Sequence, residues 1–213
     1  MFAVGALDAY FCDAYTDVVA ATIISKSRHP AMILPKFFYD IKLPIRAILE
    51  PYATNQNWKW RMAAKKMMER ENVLSLQEIQ RLFNKFCRVN HRFFVDLLDA
   101  WIADPRATSR LFGISQTAYA TRVPAAKSAE RRKAKVQMEE RFGAIFQRRH
   151  DCIHNCDRPK VSPQRLVLGD TVLRVVEDVE FLVNRCDEHI TAEFRQFLLD
   201  AGYPPAIVAQ VNY

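Results

Sequence analysis

Residues 126–155, AKSAERRKAKVQMEERFGAIFQRRHDCIHN, are the stretch that decides the fold class. The run contains no proline, and toward its end apolar side chains recur at the three- and four-residue spacing of one helix face. These apolar side chains are Phe142, Ile145, Phe146, Cys152, Ile153 and Cys156. Asp157, Pro159 and Pro163 then break the pattern. The spacing therefore predicts one long helix over 126–155.

A second long helix is predicted over 170–199, where valine and leucine recur with the same period. Gly202-Tyr203-Pro204-Pro205 then ends the ordered bundle. Residues 7–24 carry a similar apolar stripe, and no stretch alternates as a half-buried strand does. We therefore predict an all-α fold, an up-and-down helical bundle with long helices near 126–155 and 170–199.

Shorter helices are predicted between these elements. Ser75 and Glu78 form a capping box before an apolar run, which marks the start of a helix. Residues 58–71 and 91–102 have helical patterns as well, and a loop with about one helical turn follows up to residue 125.

The chain is predicted to form one domain, residues 1–203, with a C-terminal tail at 204–213. Half of the 213 residues are hydrophobic, which is enough to bury one core. Four prolines divide the segment 30–70 into short pieces, so we predict a proline-broken insertion there.

The composition excludes several enzyme classes. The five glycines lie far apart, so the chain has no phosphate-binding glycine loop, no dinucleotide fingerprint and no Gly-x-Ser-x-Gly turn. The 31 Lys and Arg residues exceed the 24 Asp and Glu residues, which gives a net charge of +7. This surplus favours a polyanionic partner such as RNA, DNA or an anionic membrane surface.

Targeting features are also missing from the sequence. Residues 1–8 have no cationic start of a signal peptide, and the longest apolar run, 18–24, is far shorter than the roughly 20 residues of a membrane span. The five cysteines are an odd number and include no Cys-x-x-Cys pair. We therefore expect a reduced, cytoplasmic protein that does not enter a membrane.

The densest cluster of reactive side chains is 147–157, QRRHDCIHNCD. One interpretation is zinc, because His150, Cys152, His154 and Cys156 alternate. On a helix, however, the histidine pair and the cysteine pair lie roughly 160–200° apart, so one ion cannot reach both. We therefore predict no metal site.

A second interpretation is structural. Cys152 and Cys156 continue the apolar stripe and fit a helical core, and the other polar residues would form an exposed helix end. Arg149 does not fit this interpretation well, because the same stripe places it close to the apolar face.

A third interpretation is catalytic. The sequence has Arg149, a polar residue directly after it, and then His154. This pattern resembles the Arg-x4–6-His motif that metal-independent ribonucleases of the HEPN superfamily contain. The opening segment Leu7-Asp8-Ala9-Tyr10-Phe11 resembles the first helix of the RiboL-PSP-HEPN branch. The resemblance implies a HEPN-like helical bundle and no cofactor.

The resemblance further implies RNA cleavage by attack of the 2′-OH on the adjacent phosphodiester, which leaves a 2′,3′-cyclic phosphate. His154 suits general acid or base catalysis, and the planar Arg149 fork suits the phosphorane oxygens. His150 is the polar residue after the arginine and could orient the phosphate or share the proton transfer. We expect Arg149, His150 and His154 to be the catalytic residues.

One geometric difficulty accompanies this motif. Arg149 and His154 lie about 140° apart around an ideal helix, so one straight helix does not direct both to one phosphate. Either the helix bends or ends between them, or the site is a groove between two subunits. HEPN ribonucleases are typically dimers with facing motifs, and we predict a homodimer through the helix end 142–156.

The positive charge is concentrated before the motif. Between residues 121 and 149, nine cations face three carboxylates, a surplus of six out of the total of seven. The nine are Arg122, Lys127, Arg131, Arg132, Lys133, Lys135, Arg141, Arg148 and Arg149. The segment is either a solvated helix face or a phosphate track that leads to the motif.

For the track we assign RNA binding to Arg131, Arg132, Lys135, Arg148 and Asn155. A second basic patch, Trp58-Lys59-Trp60-Arg61 with Lys65 and Lys66, could stack bases or pack in the core.

The resemblance implies an endoribonuclease of the toxin or phage-defence kind, with an antitoxin or sensor protein as a further expected partner. The alternative is a non-catalytic HEPN-like module that binds RNA or protein. A DNA-binding regulator ranks last, because no helix-turn-helix with a short glycine-containing turn is present.

Overall fold

A computed structural model of the chain describes residues 2–49, 56–69, 71, 73, 75–88, 92–94, 98–104, 111–112, 115–154 and 169–208. For residues 2, 47, 56–57, 99–100, 116, 149–154 and 169–171 it describes the backbone alone. The described residues form helices and turns and contain no strand. The predicted all-α helical bundle is therefore confirmed.

Ten helices of very different lengths make up the described part of the chain. In chain order they are α1 (Phe2–Arg28), α2 (Lys36–Tyr39), α3 (Ile45–Leu49), α4 (Gln56–Met68), α5 (Leu76–Phe83), α6 (Leu98–Ile102), α7 (Gln116–Ala120), α8 (Pro124–His154), α9 (Gly169–Asp200) and α10 (Pro205–Val208). A 3-10 turn, Asn84–Phe86, follows α5 directly.

The two long helices lie where the sequence pattern predicts them. Helix α8 begins with Pro124, whose fixed φ and missing N–H suit the first position of a helix. Helix α9 is closed by Gly202, which has a φ of +87° that glycine adopts without a steric penalty. The N–H groups of Gly202 and Tyr203 donate to the carbonyls of Leu199 and Leu198, both at 2.9 Å. This pair of bonds satisfies the last carbonyls of the helix and ends it.

The capping residue Ser75 also behaves as predicted. Its Oγ accepts a hydrogen bond from the N–H of Glu78 at 3.1 Å, which satisfies one of the free donors at the start of α5. In a complete capping box the Glu78 carboxylate would accept from the N–H of Ser75. Here it accepts from Nε of Arg81, at 2.6 Å.

The core is built from aromatic side chains that join α1, α5 and α9. Phe83 contacts Tyr15 edge-on, with a ring-centroid distance of 5.7 Å. Phe86 contacts Tyr15 at 5.8 Å and Phe197 of α9 at 5.2 Å. Tyr15, Phe83 and Phe86 are at most 3 % exposed. Burial of each such side chain contributes about 1.5–3 kcal/mol, so this cluster holds the N-terminal and C-terminal helices together.

The segment predicted as a proline-broken insertion, 30–70, packs onto the bundle. Helix α4 makes the most extensive helix–helix contact of the described residues, and its partner is α1. Ala63 and Ala64 are fully buried, and their small side chains let the two helices approach closely. Met32 is 1 % exposed, so the segment before α2 also contributes to the core.

The predicted helix over 91–102 is wrong in its first part. Arg92 is not helical, Phe93 and Phe94 form a turn, and helix α6 spans Leu98–Ile102. The N–H of Phe93 donates to Oδ1 of Asn84 at 2.8 Å, which satisfies this backbone group outside a helix. Phe93 and Phe94 are each 1 % exposed, so tertiary burial overrides the local helical pattern.

The C-terminal segment predicted as a tail, 204–213, begins with α10, in which Val208 is 4 % exposed. This short helix packs on α9, while residues 209–213 lie outside the described residues. None of the helices in the described part of the chain is long and apolar enough to cross a membrane.

Candidate functional site

The predicted catalytic motif lies at the C-terminal end of α8. The backbone is helical from Pro124 through His154, so the helix does not end between Arg149 and His154. A bend, or a groove between two subunits, is what would direct both residues to one phosphate. The side chains of Arg149, His150 and His154 lie outside the described residues, as does Asn155.

A buried ion pair anchors α8 about two turns before the motif. Nε and Nη2 of Arg141 lie 2.9 and 2.8 Å from Oδ2 of Asp178 on α9. The Asp178 side chain is only 2 % exposed, and a carboxylate removed from water in this way depends on hydrogen bonds and opposite charge. The pair therefore ties the approach to the motif to the final helix.

The sequence pattern contained a signal for this pair that our prediction did not use. Asp178 lies three residues after Val175 and four before Leu182, on the apolar stripe of α9. A carboxylate at a core position requires a cation nearby. Which of the many arginines supplies that cation is decided by the packing of α8 on α9.

The apolar stripe of the predicted interface is already buried within one chain. Phe142 is 0 %, Ile145 4 % and Phe146 9 % exposed. The register of α8 places Arg149 three residues after Phe146, at the continuation of this buried side. A second subunit at this helix end would therefore have to contact other residues than the 142–146 stripe.

Large exposed apolar side chains are present elsewhere on the two long helices. Val136 on α8 is 49 % exposed. On the first turns of α9, Val172, Leu173 and Val176 are 49, 59 and 44 % exposed. The predicted homodimer stays a prediction; these four residues, together with Leu199 near the end of α9 at 36 % exposure, are the large exposed apolar side chains that the described parts of the two helices offer to it.

The basic segment before the motif divides into paired and unpaired cations. Arg122 pairs with Glu130 at 3.1 Å, and Lys135 pairs with Glu139 at 3.4 Å. Arg132 is exposed, and no described residue forms an ion pair with it. The surplus of six already includes Glu130 and Glu139, and the pairing of Arg141 with Asp178 of α9 lowers the positive charge of the segment further.

The remaining RNA-binding candidates are partly accessible. Arg131 and Arg148 are half-buried, and each interacts with other groups of the chain. Arg131 and Lys135 lie four residues apart, on the same side of α8. Arg132 lies about 100° away from Arg131 toward solvent.

The second basic patch is used to dock α4 on α1. Arg61 forms a bidentate ion pair with Asp17 of α1 and lies 6.0 Å from the Trp58 ring centroid. Lys65 lies 3.8 Å from Asp13 of α1. Because these cations face carboxylates on α1, their primary role in the structure is helix packing. Trp58 itself is 44 % exposed.

A buried carboxylate on α9 was missed by the sequence analysis. The Glu193 side chain is 7 % exposed and accepts hydrogen bonds from Nη2 of Arg88 at 2.8 Å and from the Arg88 N–H at 3.3 Å. Burial alone would raise the pKa of Glu193, but the hydrogen bonds from Arg88 outweigh it and lower the pKa. His189, 9 % exposed, lies one turn earlier beside Phe93. This cluster holds the segment after α5 against α9.

Metal-ligating residues do not gather among the side chains that the structure describes: no group of three or more His, Cys, Asp or Glu could hold an ion there. The side chains of His150, Cys152, His154 and Cys156 lie outside that set. The backbone is helical through His154, so Cys152 lies roughly 160–200° around the helix axis from His150 and His154. One ion therefore cannot be bound by these three residues together.

Comparison with known proteins adds no family assignment. No protein-family model, no curated protein sequence and no solved structure matches the chain.

Proposed function

We propose that this chain is a metal-independent endoribonuclease that cleaves RNA and leaves a 2′,3′-cyclic phosphate. The observation that carries the proposal is the position of Arg149-x4-His154 at the end of a 31-residue helix. The turns before the motif are anchored by a buried ion pair and a buried apolar stripe. Catalysis requires reactive groups in defined positions, and a helix anchored in this way is a suitable support for them.

The reaction needs only proton transfer and charge stabilisation. The 2′-oxygen attacks the adjacent phosphorus, the bond from phosphorus to the 5′-oxygen breaks, and the 2′-proton passes to a base while the leaving oxygen receives a proton from an acid. His154 and His150 supply imidazoles for these two transfers. Arg149 supplies a fixed positive charge and a planar fork of donors to the phosphorane oxygens.

The proposed enzyme acts as a homodimer. Because α8 continues through His154, Arg149 and His154 of one straight helix lie about 140° apart, and a groove between two copies would let both contact one phosphate. RNA would approach along Arg131, Arg132, Lys135, Arg148 and Asn155.

A toxin or phage-defence effector in the cytoplasm, restrained or triggered by an antitoxin or sensor protein, is the setting that fits such an activity. An unrestrained ribonuclease of this kind should arrest growth when the chain is expressed. Expression of the wild-type chain and of the His154→Ala variant in the same host compares the two directly.

The decisive experiment incubates the protein with a mixed-sequence RNA in EDTA, beside Arg149→Ala and His154→Ala. We expect cleavage with a cyclic-phosphate end, reduced about 10²–10⁴-fold by His154→Ala and about 10²–10³-fold by Arg149→Ala. A substrate with one 2′-deoxy residue at the cleaved position should resist cleavage, because the nucleophile is then absent.

Arg28→Ala is the matched control, since Arg28 is an exposed arginine at the end of α1, outside the motif and outside the exposed apolar residues of α8 and α9, and its loss changes the net charge equally. It should leave cleavage unchanged. Tight RNA binding without cleavage by the wild-type chain would favour the non-catalytic module. Activity that EDTA abolishes, with zinc bound stoichiometrically, would contradict the metal-independent mechanism.

A further inference from the structure

A cavity distant in sequence from the α8 motif opens where α1, α4 and α5 converge with the segment 37–41. Its volume is about 290 Å³. Ligand pockets occupy roughly 300–1,000 Å³, so the cavity lies at the lower end of this range and is suited only to a small molecule.

The apolar lining of the cavity combines packed aromatic rings with thioether side chains. Phe37 contacts the core residue Phe86 edge-on, with a ring-centroid distance of 5.7 Å, and the Tyr15 ring is fixed against Phe83 and Phe86. Met67 forms another part of the wall. Because thioether side chains fill irregular spaces, this wall can adapt to different apolar groups.

Four charged groups line the cavity, and two of them neutralise each other. Arg81 donates from Nη2 to Glu71 at 2.9 Å. Lys85 forms no ion pair with any described residue, although the nearby Glu71 carboxylate partly counteracts the lowering of its pKa, and its Nζ lies 5.9 Å from the Phe37 ring centroid. Asp40 is exposed and forms no ion pair with any described residue either. Two opposite charges therefore line one cavity without pairing with each other.

The hydroxyl of Tyr15 is the remaining polar group of the lining. It makes no hydrogen bond to any described residue, although the side chain is only 2 % exposed. Burial raises the pKa of Tyr15 to about 12, so the hydroxyl keeps its proton and can donate to an anionic group. Burial and the nearby Arg81 lower the pKa of Lys85, in line with an ammonium that has lost part of its hydration.

We propose that this cavity binds a small zwitterion with an apolar side chain, that is, an apolar or aromatic α-amino acid. Its carboxylate would bind Lys85 and the Tyr15 hydroxyl, its ammonium would bind Asp40, and its side chain would pack between Phe37 and Met67. A simple anion would leave Asp40 unpaired and repelled, and a simple cation would do the same to Lys85. The site does not depend on the ribonuclease proposal.

The test compares three probes that share one phenyl group: L-phenylalanine, phenethylamine without the carboxylate, and 3-phenylpropionate without the ammonium. Isothermal titration calorimetry on the full chain should give L-phenylalanine a Kd of order 1 mM or tighter. Each analogue that lacks one charge should bind about tenfold more weakly.

Two variants assign the charges to residues. Lys85→Met should reduce the affinity for L-phenylalanine to that for phenethylamine, and Asp40→Asn should reduce it to that for 3-phenylpropionate. Lys85→Arg keeps the charge and should preserve the preference for the zwitterion. Lys133→Met is the matched control, because this exposed lysine of α8 does not line the cavity and its replacement should leave the affinity unchanged.

Several results would overturn the proposal. One is that none of the three probes binds saturably up to about 10 mM. Another is that all three bind with equal affinity. A third is that 3-phenylpropionate binds more tightly than L-phenylalanine. Unchanged affinity in a folded Lys85→Met variant, with folding verified by circular dichroism, would also contradict it.

Discussion

Two helices of this chain, α4 and α8, are both rich in lysine and arginine, but the structure uses their charges differently. On α4, Arg61 and Lys65 face Asp17 and Asp13 of α1 and hold the two helices together. On α8, exposed Arg132 has no ion pair among the described residues.

The same helix α8 also contains a cation with a purely internal role. Arg141 pairs with Asp178, whose side chain is 2 % exposed, whereas Asp17 and Asp13 remain 24 and 50 % exposed. The role of a cluster of cations therefore cannot be predicted from the sequence alone. The burial of the opposite carboxylate decides whether a cation stabilises the fold or faces solvent.

The largest effect on stability is expected from Arg141→Met. It removes two charge-assisted hydrogen bonds to a buried carboxylate, and we expect the free energy of unfolding to fall by about 2–3 kcal/mol. Urea unfolding followed by circular dichroism measures the change. Arg132→Met is the control and should change stability by at most about 0.5 kcal/mol. Equal effects of the two variants would contradict the distinction between buried and exposed partners.

A smaller effect, dependent on pH, is expected at Arg88–Glu193. The pKa of Glu193 is lowered in the folded state, so its stabilising contribution is present above the unfolded pKa of about 4.3 and is lost as the pH falls through the folded value. Glu193→Gln should lower stability at pH 7 by about 1–2 kcal/mol, since Arg88 is half exposed.

The measurement for Glu193 is urea unfolding at several pH values between neutrality and strong acid. The difference between wild type and Glu193→Gln should shrink as the pH falls below about 4.3. A difference that stays constant with pH would show that the variant acts by packing alone.

The smallest effect is expected on RNA affinity. It is measured with one variant on α8 and one on α4, so that the two basic helices are compared directly. Arg132→Ala should weaken RNA binding a few-fold and reduce the slope of log K against log salt by about 0.7, the value for one contact to single-stranded RNA. Lys65→Ala removes the same charge but should leave that slope unchanged, because Lys65 faces Asp13. Fluorescence anisotropy over a range of salt concentrations measures both. Identical slopes for the two variants would remove the basis for a track on α8.

Most of the helical architecture could be predicted from local signals. The long proline-free periodic runs predicted α8 and α9, and Ser75 and Gly202 marked a helix start and a helix end for reasons that involve only neighbouring backbone groups. The error over 91–102 arose because Asn84, nine residues before Phe93, supplies the acceptor that replaces a helical bond. Such a contact has no local signature.

The candidate site could be predicted only as a set of residue types and spacings. Arg149 and His154 were identified by their spacing, and the structure adds that they belong to one continuous helix. The pairing of Arg141 with Asp178, and the burial of Phe142 and Phe146 within the chain, depend on how α8 and α9 meet. Because Phe142 and Phe146 are already buried within one chain, a dimer would have to form contacts through other residues.

The sequence by itself therefore determined the fold class, the two long helices and their ends, because periodicity, capping and proline act over a few residues along the chain. Only the tertiary structure decided which charges are paired, which aromatic residues leave the helical pattern to fill the core, and where Lys85 and Asp40 line one cavity. These outcomes depend on burial and on distances between segments remote in sequence, and the strength of a charge interaction changes severalfold with the burial of its partner.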